Sequence, residues 1–241
     1  MTQVSDFVAI DMGNTLVKIA HFFSNKLIQV ERMELNALLN SPELIKECAA
    51  LEGIYSSVRS KEDNLALEKV FPKLKNVSLC TQLPIINEYK SETLGWDRLL
   101  NAIAIHHLKQ TENALCIDIG TCIKFDLMEG NHYKGGSISP GLRLRFTSLN
   151  QLTANLPYID DYSPSALIAD TTHESLRSGV LNGALGEINY FIERYKELYP
   201  SLTIFVTGGD AHHFDIASKN DIFADENLTF IGLYQIYTFN V

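Results

Sequence analysis

Phe7-Val-Ala-Ile-Asp11-Met-Gly13-Asn14-Thr15-Leu-Val-Lys18 and Ala114-Leu-Cys-Ile-Asp118-Ile-Gly120-Thr121-Cys-Ile-Lys124-Phe-Asp126 carry one pattern written twice. Each is an apolar, β-type run that ends in Asp. An x-Gly step, a small polar residue and a second apolar run follow. The pattern predicts a strand, a tight glycine turn and a returning strand. Such a turn exposes backbone N–H groups, which favour phosphate oxygens, while the Asp at the strand end can hold a divalent cation. Two such turns facing each other would grip a nucleotide polyphosphate from both sides.

The repeat extends outward from the hairpins. The first half predicts strands at 7–12, 15–23 and 26–34, then a helix with Ser41 as N-cap and Pro42 in its first position. A short strand at 53–58, a helix near 60–70, a strand near 76–81 and a helix from Trp96 to Lys109 follow. The second half predicts strands near 114–119, 122–128 and 131–138, then helical segments between 141 and 199. A strand at Leu202–Thr207, a helix near 210–218, a strand near 221–224 and a helix from 228 complete it. A β-β-β-α-β-α-β-α order that occurs twice predicts an α/β protein of two halves, residues 1–112 and 113–241.

Composition narrows the function classes. With 46% hydrophobic residues among 241, the chain can bury a real core. A net charge of −9 argues against a nucleic-acid surface, which needs clustered Lys and Arg. No apolar stretch is long enough to span a bilayer, and Met1-Thr-Gln-Val-Ser-Asp6 lacks the basic and apolar regions of a signal peptide. A cytoplasmic protein without membrane or nucleic-acid partners is expected. Cys48, Cys80, Cys116 and Cys122 show no C-x-x-C spacing and read as free thiols of a reducing compartment.

Two halves that each open on a glycine-turn hairpin resemble the superfamily of actin, the heat-shock chaperone ATPases and the sugar and acetate kinases. That resemblance implies two duplicated ribonuclease-H-like/actin-like ATPase domains with nucleotide in the cleft between them. It also implies a glycine turn late in the second half for the adenosine side. Val206-Thr207-Gly208-Gly209-Asp210-Ala211 fits this place.

Further motifs stand in order between these: Gly95-Trp96-Asp97-Arg98, then Gly135-Gly136-Ser-Ile-Ser-Pro140-Gly141, Leu149, Leu152-Thr-Ala-Asn155-Leu-Pro157, and Thr172 through Ser178-Gly179. Together with the three glycine turns they resemble the type III pantothenate kinases over residues 7–233. The resemblance implies ATP-dependent phosphorylation of pantothenate to 4'-phosphopantothenate, the first step of coenzyme A biosynthesis, by a homodimer. It implies that Asp11, Met12, Gly13, Asn14, Thr15, Leu16, Val17 and Lys18 bind the ATP phosphates, with Thr121, Gly208 and Gly209 as further ATP contacts. Asp97 would be the catalytic base; Tyr89, Gly95, Trp96 and Arg98 would bind pantothenate, and Thr172 would reach it in the neighbouring subunit. Asp118 would hold a monovalent cation, potassium or ammonium, and Asp11 a Mg²⁺ ion directly or through water. In isolation, an Asp in a first helical turn also suits the helix dipole, and Arg98 a structural ion pair. Rival readings are a kinase of this fold for another small alcohol and a non-catalytic nucleotide-binding regulator.

Two positions depart from the family pattern: Trp96, where Ala is usual, and Lys124, where Thr is more common. Side chains alternate along a strand, so Lys124 and Asp126 share a face. That spacing favours an ion pair between them, which leaves Asp118 to the cation; the rival is an ammonium group turned toward Asp118. The first reading expects potassium or ammonium to stimulate the enzyme. Other features read as structural. His106-His107 and His212-His213 are adjacent pairs that point different ways on a helix. Arg143 and Arg145 suit a solvated face, and the apolar spacing in Ser175–Leu198 suits core or a dimer interface.

Overall fold

A computed structural model describes residues 5–109, 112–214, 216 and 222–241. In chain order its elements are β1 (Phe7–Met12), β2 (Val17–Phe23), β3 (Lys26–Met33), α1 (Leu35–Leu39), α2 (Pro42–Cys48), β4 (Glu52–Ser57), α3 (Lys61–Val70), β5 (Leu74–Asn76), β6 (Ile86–Asn87) and α4 (Trp96–Leu108). Then come β7 (Asn113–Ile119), β8 (Cys122–Glu129), β9 (His132–Pro140), α5 (Leu142–Gln151), α6 (Thr172–Leu198), β10 (Thr203–Thr207), β11 (Ile222–Ala224) and α7 (Leu228–Phe239).

The chain forms two compact units, Met1–Ile86 with Ser91–His107 and Asn227–Val241, and Asn87–Lys90 with Leu108–Glu226. The first unit's sheet has the order β3-β2-β1-β4-β5. Its hairpins β1–β2 and β2–β3 are antiparallel, whereas β1–β4 and β4–β5 are parallel. The second sheet repeats this order as β9-β8-β7-β10-β11, with β6 added beside β9. Its β7–β8 and β8–β9 pairs are antiparallel; β7–β10 and β10–β11 are parallel.

The central strands are buried on both faces, and alternate positions along them build each core. In the first unit Val8, Ile10, Met12, Val17 and Ile19 turn one sheet face onto Leu35, Leu38, Cys48, Leu67 and Phe71 from the surrounding helices. In the second, Leu115, Ile117, Ile119, Ile123 and Phe125 meet Leu142 and Phe146 of α5 and Val180, Leu181, Ala184, Ile188 and Ile192 of α6. The last four of these, together with Val180, recur at helical spacing, so that stripe of α6 is core.

Helix α7 belongs to the first unit, although it follows the second in sequence. Phe7 and Phe22 meet Tyr234 and Tyr237 in aromatic contacts at 4.6–5.1 Å, among them the Phe22–Tyr234 stack at 4.8 Å. Division at 112/113 therefore assigns the last helix to the wrong unit, and it also misses that residues 87–90 go with the second. Both errors are tertiary: the aromatic pairing that recruits α7 spans more than two hundred residues.

Two local expectations also shift. The strand near 76–81 ends at Asn76, whose side chain accepts from Ser78 N at 2.9 Å and caps a single 3₁₀ turn at Val77–Leu79. A helix near 210–218 is a 3₁₀ turn, Ala211–His213, and residues 215 and 217–221 lie outside the described residues.

Gly232 brings α7 against α4. A Cβ there would lie 2.0 Å from the Leu100 carbonyl oxygen and 2.6 Å from its carbon. Alanine is the better helix former by about 1 kcal/mol, but backbone cannot yield as a side chain can. Gly232→Ala is expected to lower unfolding free energy by about 1–3 kcal/mol, read by urea denaturation; a stabilised variant would show that the two helices separate at little cost.

Candidate active site

The first glycine turn joins the Met12↔Val17 pair through Gly13–Leu16. Register sets Asp11 opposite Lys18 on β2 and beside Ser56 on β4. Its Oδ1 accepts from the Ser56 hydroxyl at 2.8 Å. A hydroxyl orients the carboxylate without neutralising it. The turn is held from below by Arg59, whose Nε donates to the Gly13 carbonyl at 2.7 Å, and by Val58 N, which donates to the Met12 carbonyl at 3.2 Å. Sequence reasoning missed Ser56 and Arg59. Their signal was their place at and just past the end of β4, the parallel neighbour of β1.

In the same unit, Gly95 precedes α4 and its carbonyl accepts from Leu99 N at 3.4 Å. A Cβ on Gly95 would stand 2.4 Å from Asp97 Oδ1, so the missing side chain makes room for this carboxylate. Asp97 sits in the first turn of α4, where the helix dipole favours negative charge. Arg98 is buried, at 4% exposure.

The second glycine turn is enclosed by two other segments of its unit. Gly120 N donates to the Cys122 carbonyl at 3.0 Å and closes the turn. Gly141 N donates to the Thr121 carbonyl at 3.0 Å, and a Cβ at 141 would lie 1.9 Å from the Gly120 oxygen. Gly208, at φ +98°, approaches from the end of β10; a Cβ there would lie 2.2 Å from the Ile119 oxygen and 2.6 Å from Asp118 Oδ1. Asp210 N donates to the Ile119 carbonyl at 2.9 Å. Asp118, Thr121, Gly208 and Gly209 are thus brought together.

Lys124 stands directly opposite Asp118 across β7–β8, and its Nζ lies 2.6 Å from Asp118 Oδ2. Both side chains are about one-seventh exposed, at 14% and 15%. The Lys124 ammonium is thus turned to Asp118, where pairing with Asp126 was expected. Asp126 is buried and accepts from the Tyr133 hydroxyl at 2.7 Å. Directly opposed side chains stand closer than those two apart on one strand, so register favours Asp118.

Tyr89 lies on the second unit. Its ring fills the space left by Gly135 (φ +85°), where a Cβ would stand 2.7 Å from the ring, and it packs on Tyr133 at 6.2 Å. Neighbouring Glu88 fixes the segment: its N donates to the Tyr133 carbonyl at 3.0 Å, and its carboxylate meets Lys134 at 2.7 Å and His132 at 2.6 Å. Bonds from Lys134 and then His132 hold the Glu88 carboxyl below its ordinary range.

Thr172 opens α6, with Thr171 as N-cap accepting from Glu174 N at 3.2 Å. It lines an open depression of about 450 Å³ with Leu156, Asp170 and Ser175. Gly208 and Gly209 line a different one, of about 340 Å³, with Ala224, Asp225 and Glu226. Asp11, Gly13, Gly95, Trp96, Asp97 and Arg98 lie on the first unit; Tyr89, Asp118, Thr121 and Thr172 lie on the second.

Arg145 is not on a solvated face. Its Nε donates to the Pro140 carbonyl at 2.8 Å and its Nη2 pairs with Glu187 of α6, which also accepts from Ser139. These bonds anchor the segment that carries Gly141. His213 packs edge-on against Tyr162 at 5.1 Å, and burial followed by the neighbouring His212 lowers its pKa. Among the described residues no cluster of three or more His, Cys, Asp or Glu forms a metal site. All four cysteines are free; burial pushes the Cys48 thiol up to about 12.

Comparison with known proteins shows the chain's family and fold. A family model described as type III pantothenate kinase matches residues 7–194. A type III pantothenate kinase from Christiangramia forsetii is 40% identical over 239 residues, covering 97% of this chain and 98% of its own. Two solved structures share the fold. One is a candidate Baf family transcriptional activator from Campylobacter jejuni, at TM-score 0.62 and 20% identity over 97% of this chain and 98% of its own. The other is a candidate N-acetylmannosamine kinase from Listeria monocytogenes, at TM-score 0.53 and 14% identity over 98% and 99%. The two sheets share one strand order, a duplicated α/β architecture, and the chain has the fold of that N-acetylmannosamine kinase structure.

Gly208→Ala tests the enclosed turn. A side chain at this positive φ, pressed on Ile119 and Asp118, must displace the second glycine turn. ATP affinity by calorimetry is expected to fall by about tenfold or more, equivalent to about 1.4 kcal/mol. An unchanged affinity in a folded variant would place the nucleotide elsewhere.

Proposed function

Since the chain belongs to the type III pantothenate kinases, we propose a division of labour among its residues for that reaction, ATP-dependent phosphorylation of pantothenate in coenzyme A biosynthesis. Phosphoryl transfer is mostly positioning and charge neutralisation. Backbone donors of the Gly13–Leu16 turn and of the Gly120–Thr121 turn hold phosphate oxygens, and the Gly208–Gly209 turn takes the adenosine side. Asp97 orients the primary hydroxyl of pantothenate and accepts its proton as attack proceeds. Arg98 offers its planar fork to an anionic oxygen, and Tyr89, Gly95 and Trp96 shape the pantothenate site. The observation that carries these roles is the packing of the Asp97 carboxylate into the space beside Gly95.

Mg²⁺, when bound with ATP, neutralises phosphate charge. Asp11 is the residue that would hold it, since Ser56 fixes its orientation with a neutral donor. A potassium or ammonium ion at Asp118 does not fit the residues present, because the Lys124 ammonium already stands 2.6 Å from that carboxylate. No step runs through such an ion.

The protein works as a cytoplasmic homodimer in this reading. Free thiols suit a reducing compartment, and among the described residues no helix is long and apolar enough to cross a membrane. Thr172, at its depression on α6, completes the pantothenate site of the partner.

Asp97→Asn is expected to lower kcat with ATP and pantothenate by about a hundredfold or more, with an unchanged melting temperature. A near-normal rate would make Asp97 structural. Mixing Asp97→Asn with Thr172→Ala protein tests the dimer. If Thr172 acts across a two-fold interface, mixed dimers have one intact site, and activity should return to about a quarter of wild type; two inactive proteins that stay inactive would put both residues in one protomer's site.

A further inference from the structure

The charge beside the second glycine turn is built into the chain. Asp118 Oδ2 lies 2.6 Å from Lys124 Nζ, on a cross-strand pair fixed by seven consecutive β7–β8 partners from Asn113↔Glu129 to Ile119↔Ile123. Its other oxygen, Oδ1, faces the Gly208 turn, where a Cβ would stand 2.6 Å away. Both oxygens of Asp118 are therefore engaged or crowded within the folded unit. A dissolved monovalent cation would need the same carboxylate and would meet a fixed positive charge at contact distance, which Coulomb repulsion in a mostly buried place disfavours. The register that sets Lys124 there also sets Gly120 and Thr121 beside it, so the ammonium is held next to the turn that receives phosphate oxygens.

We propose that Lys124 is a positioning residue for the nucleotide, its ammonium group taking at Asp118 the place a potassium or ammonium ion would occupy, so that this enzyme works without a monovalent cation activator. The proposal deepens the kinase reading and rests on it for the identity of the nucleotide. A tethered charge is present at full occupancy whatever the salt, whereas a dissolved ion must be bound from solution. Wild-type function should then be blind to the choice of alkali cation, and removal of the ammonium should create a demand for one.

ATP affinity by calorimetry in sodium-only and potassium buffers of equal ionic strength tests this without reference to the alcohol substrate. The wild type is expected to bind ATP equally in both, within about twofold, and to have the same ATP-induced rise in melting temperature. Lys124→Thr is expected to bind ATP about tenfold or more weakly in sodium and to recover in potassium or ammonium. Wild-type binding that is severalfold tighter in potassium overturns the proposal, and so does a folded Lys124→Thr variant that no cation rescues. Should that variant fail to fold, the wild-type comparison still decides. ATP binding without pantothenate turnover would reject the substrate reading alone; absence of ATP binding in either salt would reject both.

Discussion

Side chains directly opposite each other on antiparallel strands stand about 4.5–5.5 Å apart at Cβ, closer than any alternative partner on the same face. Both glycine-turn hairpins inherit their electrostatics from this distance. In each, the Asp that ends the outgoing strand is opposed by a Lys on the returning strand, Lys18 in the first and Lys124 in the second. The parallel neighbour then differentiates them. On the first sheet β4 offers Ser56 to Asp11, and on the second β10 offers Thr207 at the register position of Asp118. One topology thus yields a carboxylate steered by a hydroxyl and another closed by an ammonium.

Glycine supplies the second constraint. The turn at Gly120–Thr121 is touched by backbone from two distant segments because neither Gly141 nor Gly208 has a Cβ. The Ser139–Glu187–Arg145 bonds fix one of those segments to α6, and the Asp210 amide ties the other to Ile119. A glycine turn that presents backbone donors gains from such support, since a loose turn spends binding energy on ordering itself. Gly95 does the same service for Asp97 from within a single helix start.

The repeat and the strands were legible because apolar runs bounded by glycine turns are local signals. The places of Asp11, Asp97, Asp118 and Gly208 at strand and helix ends were legible from the same local signals. What escaped needed register or tertiary pairing. Lys124 has two carboxylates within reach by alternation, and only the cross-strand register separates them. Ser56 and Arg59 act on the first turn from a strand that a helix-containing crossover brings alongside. Arg145 has the spacing of a solvated side chain, yet Glu187, far along the sequence, draws it inward. Asn76 ends β5 through a side-chain bond that β-propensity does not register.

Helix α7 has a consequence for the order in which the molecule can assemble. On the ribosome, domains usually fold in the order they emerge, the N-terminal one first. Here the first-made sheet lacks the helix carrying Phe230, Leu233 and Ile236 until every strand of the other sheet has been synthesised. Phe7 and Phe22 wait, uncovered, for Tyr234 and Tyr237. The later unit, continuous in sequence apart from residues 87–90, can complete its core first. The aromatic partners of Phe7 and Phe22 are therefore made last, which ties the burial of that face of the N-terminal sheet to α7.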